Sequence, residues 1–449
     1  MMAVRKSKQT DWRLWSSHLG SVLLYGTFGL LMFGPVAFGS VEPWSIFILE
    51  SGATLLVLTW LAKQAIDGEL KIKWNPLFYP MIAFAILILV QLIAGTTSYR
   101  HDTASGALLY CAYAMLCFLA TQALFRNFQA RRLAFLFSIY GAALASFALL
   151  QGIASNGKLY WLRTPRMGGW IYGPYVNHNH YAGLMELLVP IPLVLSVSHL
   201  STSRERMMAA VAAAIMAATI FLSGSRGGML GLLVELLILA VVLVRQQRGI
   251  KTAITVGAFL LLVIGLLAWV GGGEVAQRLS SISTETRSEI TGGMRLNIDR
   301  DALHMFARKP MLGWGLRAFP VVYPQFRTFY TNFFVNEVHN DYLQLLVEMG
   351  LLGFGAMLWF LIVLYRRALR KIKNWTSDVS GAATLACVLA SVGILVHSAV
   401  DFNLQIPANA ALFYVFCTIA AGDAFTQPVR KRRPVPAPTE EMLPASEVV

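Results

Sequence analysis

Apolar stretches long enough to cross a membrane recur along nearly the whole chain. A helix needs about 20 apolar residues to span a hydrocarbon core of about 30 Å. Such stretches are centred near Leu30, Leu55, Ala85, Met115, Ala142, Val189, Met216, Leu237, Val263, Ala356, Leu389 and Tyr414. Because 56% of the residues are hydrophobic and only 13% are charged, an ordinary soluble protein is excluded. The sequence therefore predicts an all-α polytopic membrane protein with about 12 transmembrane helices.

The chain is basic, with 37 Lys and Arg against 23 Asp and Glu and a net charge of +14. The basic residues fall on alternate connections between the predicted spans, for example at 126–132, 204–206 and 366–373. By the positive-inside tendency, these connections and both termini are expected on the cytoplasmic side. No nucleic-acid-binding motif accompanies the charge. We therefore interpret it as a signal of topology and of contact with membrane lipids, and we expect no nucleic acid partner.

The predicted spans divide the chain into four parts. These are transmembrane helices 1 to 9 with short loops in residues 1–270, a periplasmic loop region in 271–342, transmembrane helices 10 to 12 in 343–426, and a Pro-rich, disordered cytoplasmic tail in 427–449. Within the loop region, Leu296, Leu303 and Phe306 recur at helical spacing between basic residues, and Pro310 follows. This pattern is typical of a helix that lies in the membrane interface.

The polar features that packing does not explain all project to the non-cytoplasmic side. They are Arg163, Arg166, residues 177–180, Arg226, Arg295, residues 339–341, Asp401 and Asn403. Arg226 stands in "SGSRGG", where glycines permit close backbone approach between two membrane helices. Two guanidinium groups, Arg226 and Arg295, suit a lipid diphosphate, because each offers a planar fork of donors. Snorkelling to the interface is the alternative for Arg226, and an exposed helix face is the alternative for Arg295.

His339 lies at the start of the predicted span "NEVHNDYLQLLVEMGLLG". Asn336 is a candidate N-cap, and Tyr342 and Leu346 follow at helical spacing. A helix N-terminus disfavours the imidazolium, so the position suits a neutral ring that accepts a proton. The sequence predicts a general base at His339, with a purely structural histidine as the alternative. Whether Asp341 or Glu337 orients the ring stays open.

Other chemistry-bearing patterns are weaker. "NHNH" (His178 and His180) has no acidic or cysteine partner nearby for a metal, and the "DRD" pair, Asp299 and Asp301, is interpreted as solvated surface. No cofactor motif is convincing, so neither a metal nor another cofactor is expected. Five ionisable residues inside the apolar stretches are expected to face the bundle interior and to make interhelical hydrogen bonds, namely Glu50, Glu186, Glu235, Glu348 and His397.

The order of these motifs resembles the O-antigen ligase and polymerase superfamily. The resemblance rests on "NHYA" at 179–182, "SRGG" at 225–228, Arg295 leading into "KPMLGWG", and "VHNDYLQLLVEMGLLG". It implies a GT-C-like glycosyltransferase that uses a lipid carrier and no metal. In family terms Arg226 and Arg295 match the arginines that hold the diphosphate, and His339 matches the essential histidine. Candidate supporting residues are Arg166, Asn179, His180, Asn340 and Asp341.

The resemblance further implies transfer of a glycan from undecaprenyl diphosphate at the periplasmic face of the bacterial inner membrane. We expect an O-antigen ligase with lipid A-core as acceptor, because the outer segment is a single moderate loop without an added protein-binding domain. A polymerase and a protein O-oligosaccharyltransferase share the same motifs and stay open. From a different class, a transporter or flippase for a lipid-linked glycan would use the same arginines without making a bond.

Overall fold

The computed structural model describes residues 2–165, 169–245, 292–332 and 334–426. Within these ranges the chain forms α-helices, a few 3₁₀ turns and isolated β-bridges, without a β-strand. The α-helices are α1 (Met2–Val36), α2 (Pro43–Asp67), α3 (Phe78–Ile93), α4 (Arg100–Ala123), α5 (Asn127–Ile153), α6 (His178–Leu188), α7 (Pro190–Val197), α8 (Ser203–Ser223), α9 (Arg226–Arg245), α10 (Gly292–Arg308), α11 (Phe319–Val322), α12 (Asp341–Lys371), α13 (Val379–His397) and α14 (Pro407–Ala421).

The described helices confirm a multi-pass membrane protein. In the described ranges, 9 segments are long and apolar enough to cross a membrane, with α6 and α7 together forming one, His178–Val197. The shorter helices α3 and α14 are also apolar and carry the predicted spans at Ala85 and Tyr414. The span predicted at Val263 lies outside the described residues. The total of about 12 spans, the GT-C-like architecture and the location of the termini therefore stay predictions.

The α6–α7 segment forms the centre of the bundle, since 100% of its span is buried. Two other helices, α9 and α13, approach each other closely at glycines. A Cβ placed on Gly231 would lie 2.8 Å from the carbonyl oxygen of Gly393, so neither position has room for a side chain. Small residues that allow such contacts are a common means of packing membrane helices.

Helix α12 is interrupted at Gly350, whose φ of 64° and ψ of −167° are not helical. The backbone N–H of Leu351 donates to the carbonyl of Pro310 at 2.8 Å, and the N–H of Gly315 donates to the carbonyl of Glu348 at 3.0 Å. The segment "KPMLGWG" thus satisfies backbone groups that the break in α12 leaves without helical partners. Two of the family-like motifs therefore have a shared structural role.

Helix α10 confirms the helix predicted before Pro310. Ile298, Ala302 and Met305 pack into a small core with residues of the 319–347 region. Leu296 and Leu303 are 68% and 49% exposed and point away from that core. The exposed leucines are compatible with the expected interfacial position.

The predicted basic connections meet at one end of the bundle. Arg131 lies 3.9 Å from Glu205, and Lys371 Nζ donates to the carbonyl of Gly422 at 2.9 Å. The N-termini of α6, α9 and α12 instead meet around the loop after α13, as described below. The structure thus separates a basic end from a second end that collects the predicted site residues.

Candidate active site

The loop that joins α13 to α14, residues 398–406, is the centre of the site, and we refer to it as the 398–406 loop. The carboxylate of Asp341 accepts hydrogen bonds from the hydroxyl of Ser398 at 2.7 Å and from the N–H of Leu404 at 3.0 Å. The N–H of Asp341 donates to the carbonyl of Ser398 at 2.9 Å. Asp341 therefore fixes the start of α12 on this loop and is a positioning residue, not the group that orients His339.

His339 stands just before α12 and has a left-handed backbone, with φ of 62°. The N-cap of α12 is Asn340, whose side-chain oxygen accepts from the N–H groups of Tyr342 at 3.1 Å and Leu343 at 3.2 Å. The prediction that Asn336 caps a helix containing His339 was wrong, because Asn340 satisfies the first free N–H groups itself. The reversal at His339 turns its ring away from the helix and toward the 398–406 loop.

Asp401 is the carboxylate beside His339. The Nδ1 of His339 lies 3.7 Å from Oδ1 of Asp401, and the two side chains are 10% and 2% exposed. The ring of His339 also packs edge-on against Phe402, with centroids 4.8 Å apart. The open question of which acid faces the histidine is thereby answered in favour of Asp401, and neither Glu337 nor Asp341 makes this contact.

Arg295 approaches the same carboxylate from α10. Its Nη2 lies 3.9 Å from Oδ2 of Asp401, and its Nη1 donates to the carbonyl of Val400 at 3.0 Å. Burial alone raises the pKa of Asp401, but contact with His339 and the electrostatic effects of His180 and Arg295 lower the pKa below its ordinary value. Asp401 is therefore a buried anion between a histidine and an arginine.

The interpretation of Asp299 and Asp301 as solvated surface was wrong. Asp301 is 0% exposed, and it accepts hydrogen bonds from the hydroxyls of Tyr323 at 3.2 Å and Thr328 at 2.8 Å. Asp299 is partly buried. Burial raises its pKa, while the charges of His339 and Arg295 oppose that rise. Asp301 thus holds the loop after α11, and Asp299 belongs to the electrostatic surroundings of the site.

Arg226 is the first residue of α9 and is exposed. The hydroxyl of Ser225 accepts the N–H of Gly228 at 3.2 Å and so caps the helix. A Cβ placed on Gly227 would lie 3.0 Å from the side chain of Val400. The glycine therefore brings the start of α9 against Val400, the neighbour of Asp401 and the partner of Arg295. The start of α9, Arg295 and His339 thus all lie beside the 398–406 loop.

Comparison with known protein families adds an independent finding. A family model described as O-antigen ligase matches residues 211–358. Over these residues the chain is similar to the O-antigen ligase family. The match contains Arg226, Arg295 and His339, whereas Asp401 and the "NHYA" segment lie outside it. No curated protein matches the chain.

This similarity supports an enzyme of the O-antigen ligase or polymerase type, with lipid-linked glycan and membrane lipids as partners. Within the described ranges, no three His, Cys, Asp or Glu side chains are grouped so as to hold a metal ion. The expectation of a reaction without a metal stays a prediction.

Behind Arg226, Arg295 and His339 lies a buried network of polar contacts that the sequence analysis did not assign to the site. His397 Nδ1 lies 2.9 Å from Glu186 Oε2, and its Nε2 lies 3.4 Å from the hydroxyl of Ser225. If Nδ1 donates to Glu186, Nε2 accepts from Ser225, whose oxygen still accepts the N–H of Gly228. This network of hydrogen bonds thereby joins α6, α13 and the cap of α9, and it positions Arg226 through that cap.

These contacts also test the expectation for ionisable residues inside the spans. Glu186 and His397 make one interhelical hydrogen bond of the expected kind, whereas the buried carboxylate of Glu235 has no hydrogen-bond partner in the described part of the chain. Glu235 and Glu348 are buried as well, whereas Glu50 is only partly buried. The bundle-interior prediction is therefore confirmed for four of the five. The sequence signal that could have indicated the contact between Glu186 and His397 was an acid and a histidine placed at similar depth in two membrane spans, where an unpaired ionisable group is energetically costly.

The remaining predicted residues have supporting positions. His180 Nδ1 lies 3.4 Å from the side-chain oxygen of Asn403, and its ring centroid lies 4.5 Å from that of Phe402. Phe402 therefore touches the rings of both His180 and His339. Asn179 is 8% exposed and occupies the first turn of α6. Arg166 lies outside the described residues.

Proposed function

We propose that this protein is an O-antigen ligase that transfers a glycan from undecaprenyl diphosphate to lipid A-core in lipopolysaccharide assembly. The observation that carries the proposal is the contact of His339 with the buried carboxylate of Asp401, which also lies beside Arg295. Asp401 belongs to the 398–406 loop, which packs against the start of α9 as well. A base supported by a carboxylate, next to cations suited to a diphosphate, fits glycosyl transfer from a lipid carrier.

In the proposed reaction His339 acts as general base. Asp401 faces Nδ1, which leaves Nε2 to accept the proton of an acceptor hydroxyl. As that oxygen attacks the anomeric carbon, the bond from this carbon to the diphosphate oxygen breaks, and undecaprenyl diphosphate leaves with the electron pair. Attack opposite the leaving group inverts the anomeric configuration. The anion at Asp401 stabilises the imidazolium that forms.

Arg226 and Arg295 are proposed to bind the diphosphate. Arg226 is exposed, and the Arg295 side chain is 28% exposed, so both can reach a ligand. Their charge stabilises the negative charge that grows on the leaving group, and the step as proposed needs no metal.

The membrane placement is part of the proposal. We place the protein in the bacterial inner membrane, with the site on the periplasmic side and both termini in the cytoplasm. The supporting observation is the separation of the basic end, around Arg131 and Lys371, from the end that carries His339.

The decisive experiment combines purified protein, undecaprenyl diphosphate-linked glycan and lipid A-core. Glycan on lipid A-core supports the ligase, longer glycan on the carrier indicates a polymerase, and the absence of both products contradicts the proposed transfer reaction. His339→Ala should abolish the product, while His304→Ala, which changes an exposed histidine of α10, should retain it. Product formation by His339→Ala at a rate near wild type would refute the base.

The arginines are tested by carrier binding. Arg226→Ala and Arg295→Ala should each weaken binding of undecaprenyl diphosphate, with Arg300→Ala, on the exposed side of α10, as the matched control. Unchanged affinity in both site variants would contradict the proposed diphosphate contacts.

A further inference from the structure

A cavity of about 330 Å³ lies between α2, α3, α4, α12 and α14. One wall is Phe402, whose ring also touches His339. Its outer rim includes Arg317, Asn336 and Glu337, and Arg317 and Asn336 are exposed, so the cavity reaches the surface. The proposed reaction assigns no role to this cavity.

The cavity is long and its inner part is apolar. It is lined along α12 from Tyr342 through Met357 to Leu361. At ~1.5 Å per residue for the helical parts on the two sides of the break at Gly350, this stretch extends over roughly 28 Å, close to the thickness of a hydrocarbon core of about 30 Å. Leu109 of α4 and Tyr414 of α14 line the same space. A cavity of this small volume and this length is narrow, and it therefore suits one hydrocarbon chain better than a bulky glycan.

The rim has different chemistry. Among its described side chains, Arg317 is the cation. Its backbone N–H donates to the carboxylate of Glu348 at 2.8 Å, and its side chain crosses Gly106, where a Cβ would lie 2.9 Å from Arg317 Cδ. The backbone of Arg317 is left-handed, with φ of 61°. Glu348 thus fixes the backbone of Arg317 in a strained conformation, while the side chain of Arg317 is exposed at the rim.

Besides Glu348, the carboxyl groups of Glu337 and Asp341 line the cavity. Burial raises the pKa of Glu337 well above its ordinary value, and the charge of Arg317 only partly opposes this rise. A protonated Glu337 would donate a hydrogen bond to a polar headgroup. The Asp341 carboxylate is already occupied by Ser398 and the N–H of Leu404. An anionic headgroup rich in hydroxyls therefore fits the rim.

We propose that this cavity holds one hydrocarbon chain of the acceptor lipid, with an anionic group of its headgroup on Arg317. The inference rests on the proposed function. The start of α9 and the Arg295 side chain of α10 meet the 398–406 loop, whereas the cavity lies between α2, α4 and α12. Donor and acceptor would thus approach His339 from different sides, separated by Phe402.

Steady-state kinetics on two neighbouring leucines test the cavity. Leu109 lines it and is 8% exposed, while Leu108 is 62% exposed on the outer face of α4. Leu109→Trp should fill the space and raise KM for lipid A-core by about tenfold or more, without changing KM for the carrier-linked glycan. Leu108→Trp should behave as wild type. Equal kinetics for the two variants would overturn the proposal.

A binding experiment keeps the proposal testable without turnover and if Leu109→Trp fails to fold. A photo-crosslinking benzoylphenylalanine at Tyr113, which lines the cavity, is irradiated with lipid A-core, undecaprenyl diphosphate or phosphatidylglycerol. Crosslinks to lipid A-core that the other two lipids do not displace support the acceptor assignment. Crosslinks only to phosphatidylglycerol or only to the carrier overturn it.

The same experiment separates the two proposals. If lipid A-core crosslinks at position 113 but wild type forms no product on it, the binding site stands and the proposed reaction fails. If wild type forms the product but lipid A-core never crosslinks there, the cavity assignment alone fails. Arg317→Gln should reduce the lipid A-core crosslink about fivefold or more, because the headgroup loses its cation. An unchanged yield would contradict the headgroup contact.

Discussion

Replacing Asp401 by asparagine removes one buried negative charge and keeps the shape of the side chain. Asp401 Oδ1 accepts the N–H of Phe402 at 2.8 Å, and the amide oxygen of asparagine can accept the same bond. The variant is therefore expected to fold and to retain the 398–406 loop. What it loses is the charge that faces His339 at 3.7 Å.

The size of the loss follows from that distance. At 3.7 Å and an effective dielectric constant of about 20, two unit charges attract by about 4 kcal/mol. The attraction exists only once His339 has taken a proton, so it lowers the barrier of the transfer step. Since ~1.4 kcal/mol corresponds to a factor of ten, the full attraction would lower kcat by about 10³-fold when it is lost. Solvent near the partly exposed ring of His339 screens the attraction, so we expect kcat to fall by about 10²–10³-fold.

The same variant should affect carrier binding differently. Asp401 lies 3.9 Å from Arg295 Nη2, and its removal leaves that guanidinium charge less compensated. Affinity for undecaprenyl diphosphate should therefore be unchanged or tighter while kcat falls. A general disruption of the loop would lower both.

The assay measures kcat with saturating acceptor, and carrier affinity separately. Asp423→Asn is the matched control, because Asp423 is 87% exposed and pairs with Arg367 at the basic end. It should change neither quantity. A kcat for Asp401→Asn within about threefold of wild type, less than 1 kcal/mol in barrier, would refute the role assigned to Asp401.

Three further outcomes are expected. His397→Phe should weaken carrier binding about tenfold by removing the contact with Ser225 that positions α9, and an unchanged Kd would contradict this. Gly350→Ala should lower the free energy of unfolding by at least about 1–3 kcal/mol, whereas Gly355→Ala, with open space around its Cβ, should not; equal Tm values would refute the difference. Because the pKa of Asp401 is lowered, its carboxylate stabilises the fold fully above the ordinary carboxyl pKa of about 3.9. Below that pH its contribution to the free energy of unfolding declines by up to about 1.4 kcal/mol per pH unit. The difference in thermal stability between wild type and Asp401→Asn should therefore shrink from pH 6 to pH 3, and a constant difference would contradict this.

The fold class and the site's main residues were predictable because each depends on a local pattern. Apolar stretches of membrane-spanning length identify helices without knowledge of their neighbours. The exclusion of charge from those stretches also makes Arg226 and His339 conspicuous. Their shared side follows from counting spans, and the structure brings the start of α9 and His339 to the 398–406 loop.

The contacts of the site were less predictable, because they join residues far apart in the chain. Asp401 follows His339 by a complete hairpin of α12 and α13, and nothing local in "DFN" indicates a histidine partner. The cap of α12 shows a second limit. Asn336 and Asn340 are equally good cap residues, and only the left-handed turn at His339 decides between them. That turn depends on tertiary contacts.

The 398–406 loop explains why the family match and the site do not coincide. The matched segment, 211–358, contains the two arginines and the histidine, but the groups that hold them together lie beyond it. Val400 accepts from Arg295, Asp401 faces His339, and Ser398 fixes Asp341 at the start of α12. A chain that retained the matched segment and changed only this loop would keep every motif residue and lose the carboxylate that supports the base. The chemistry proposed here thus depends on a loop that the motifs do not include, and this loop also separates the two sides from which donor and acceptor would enter.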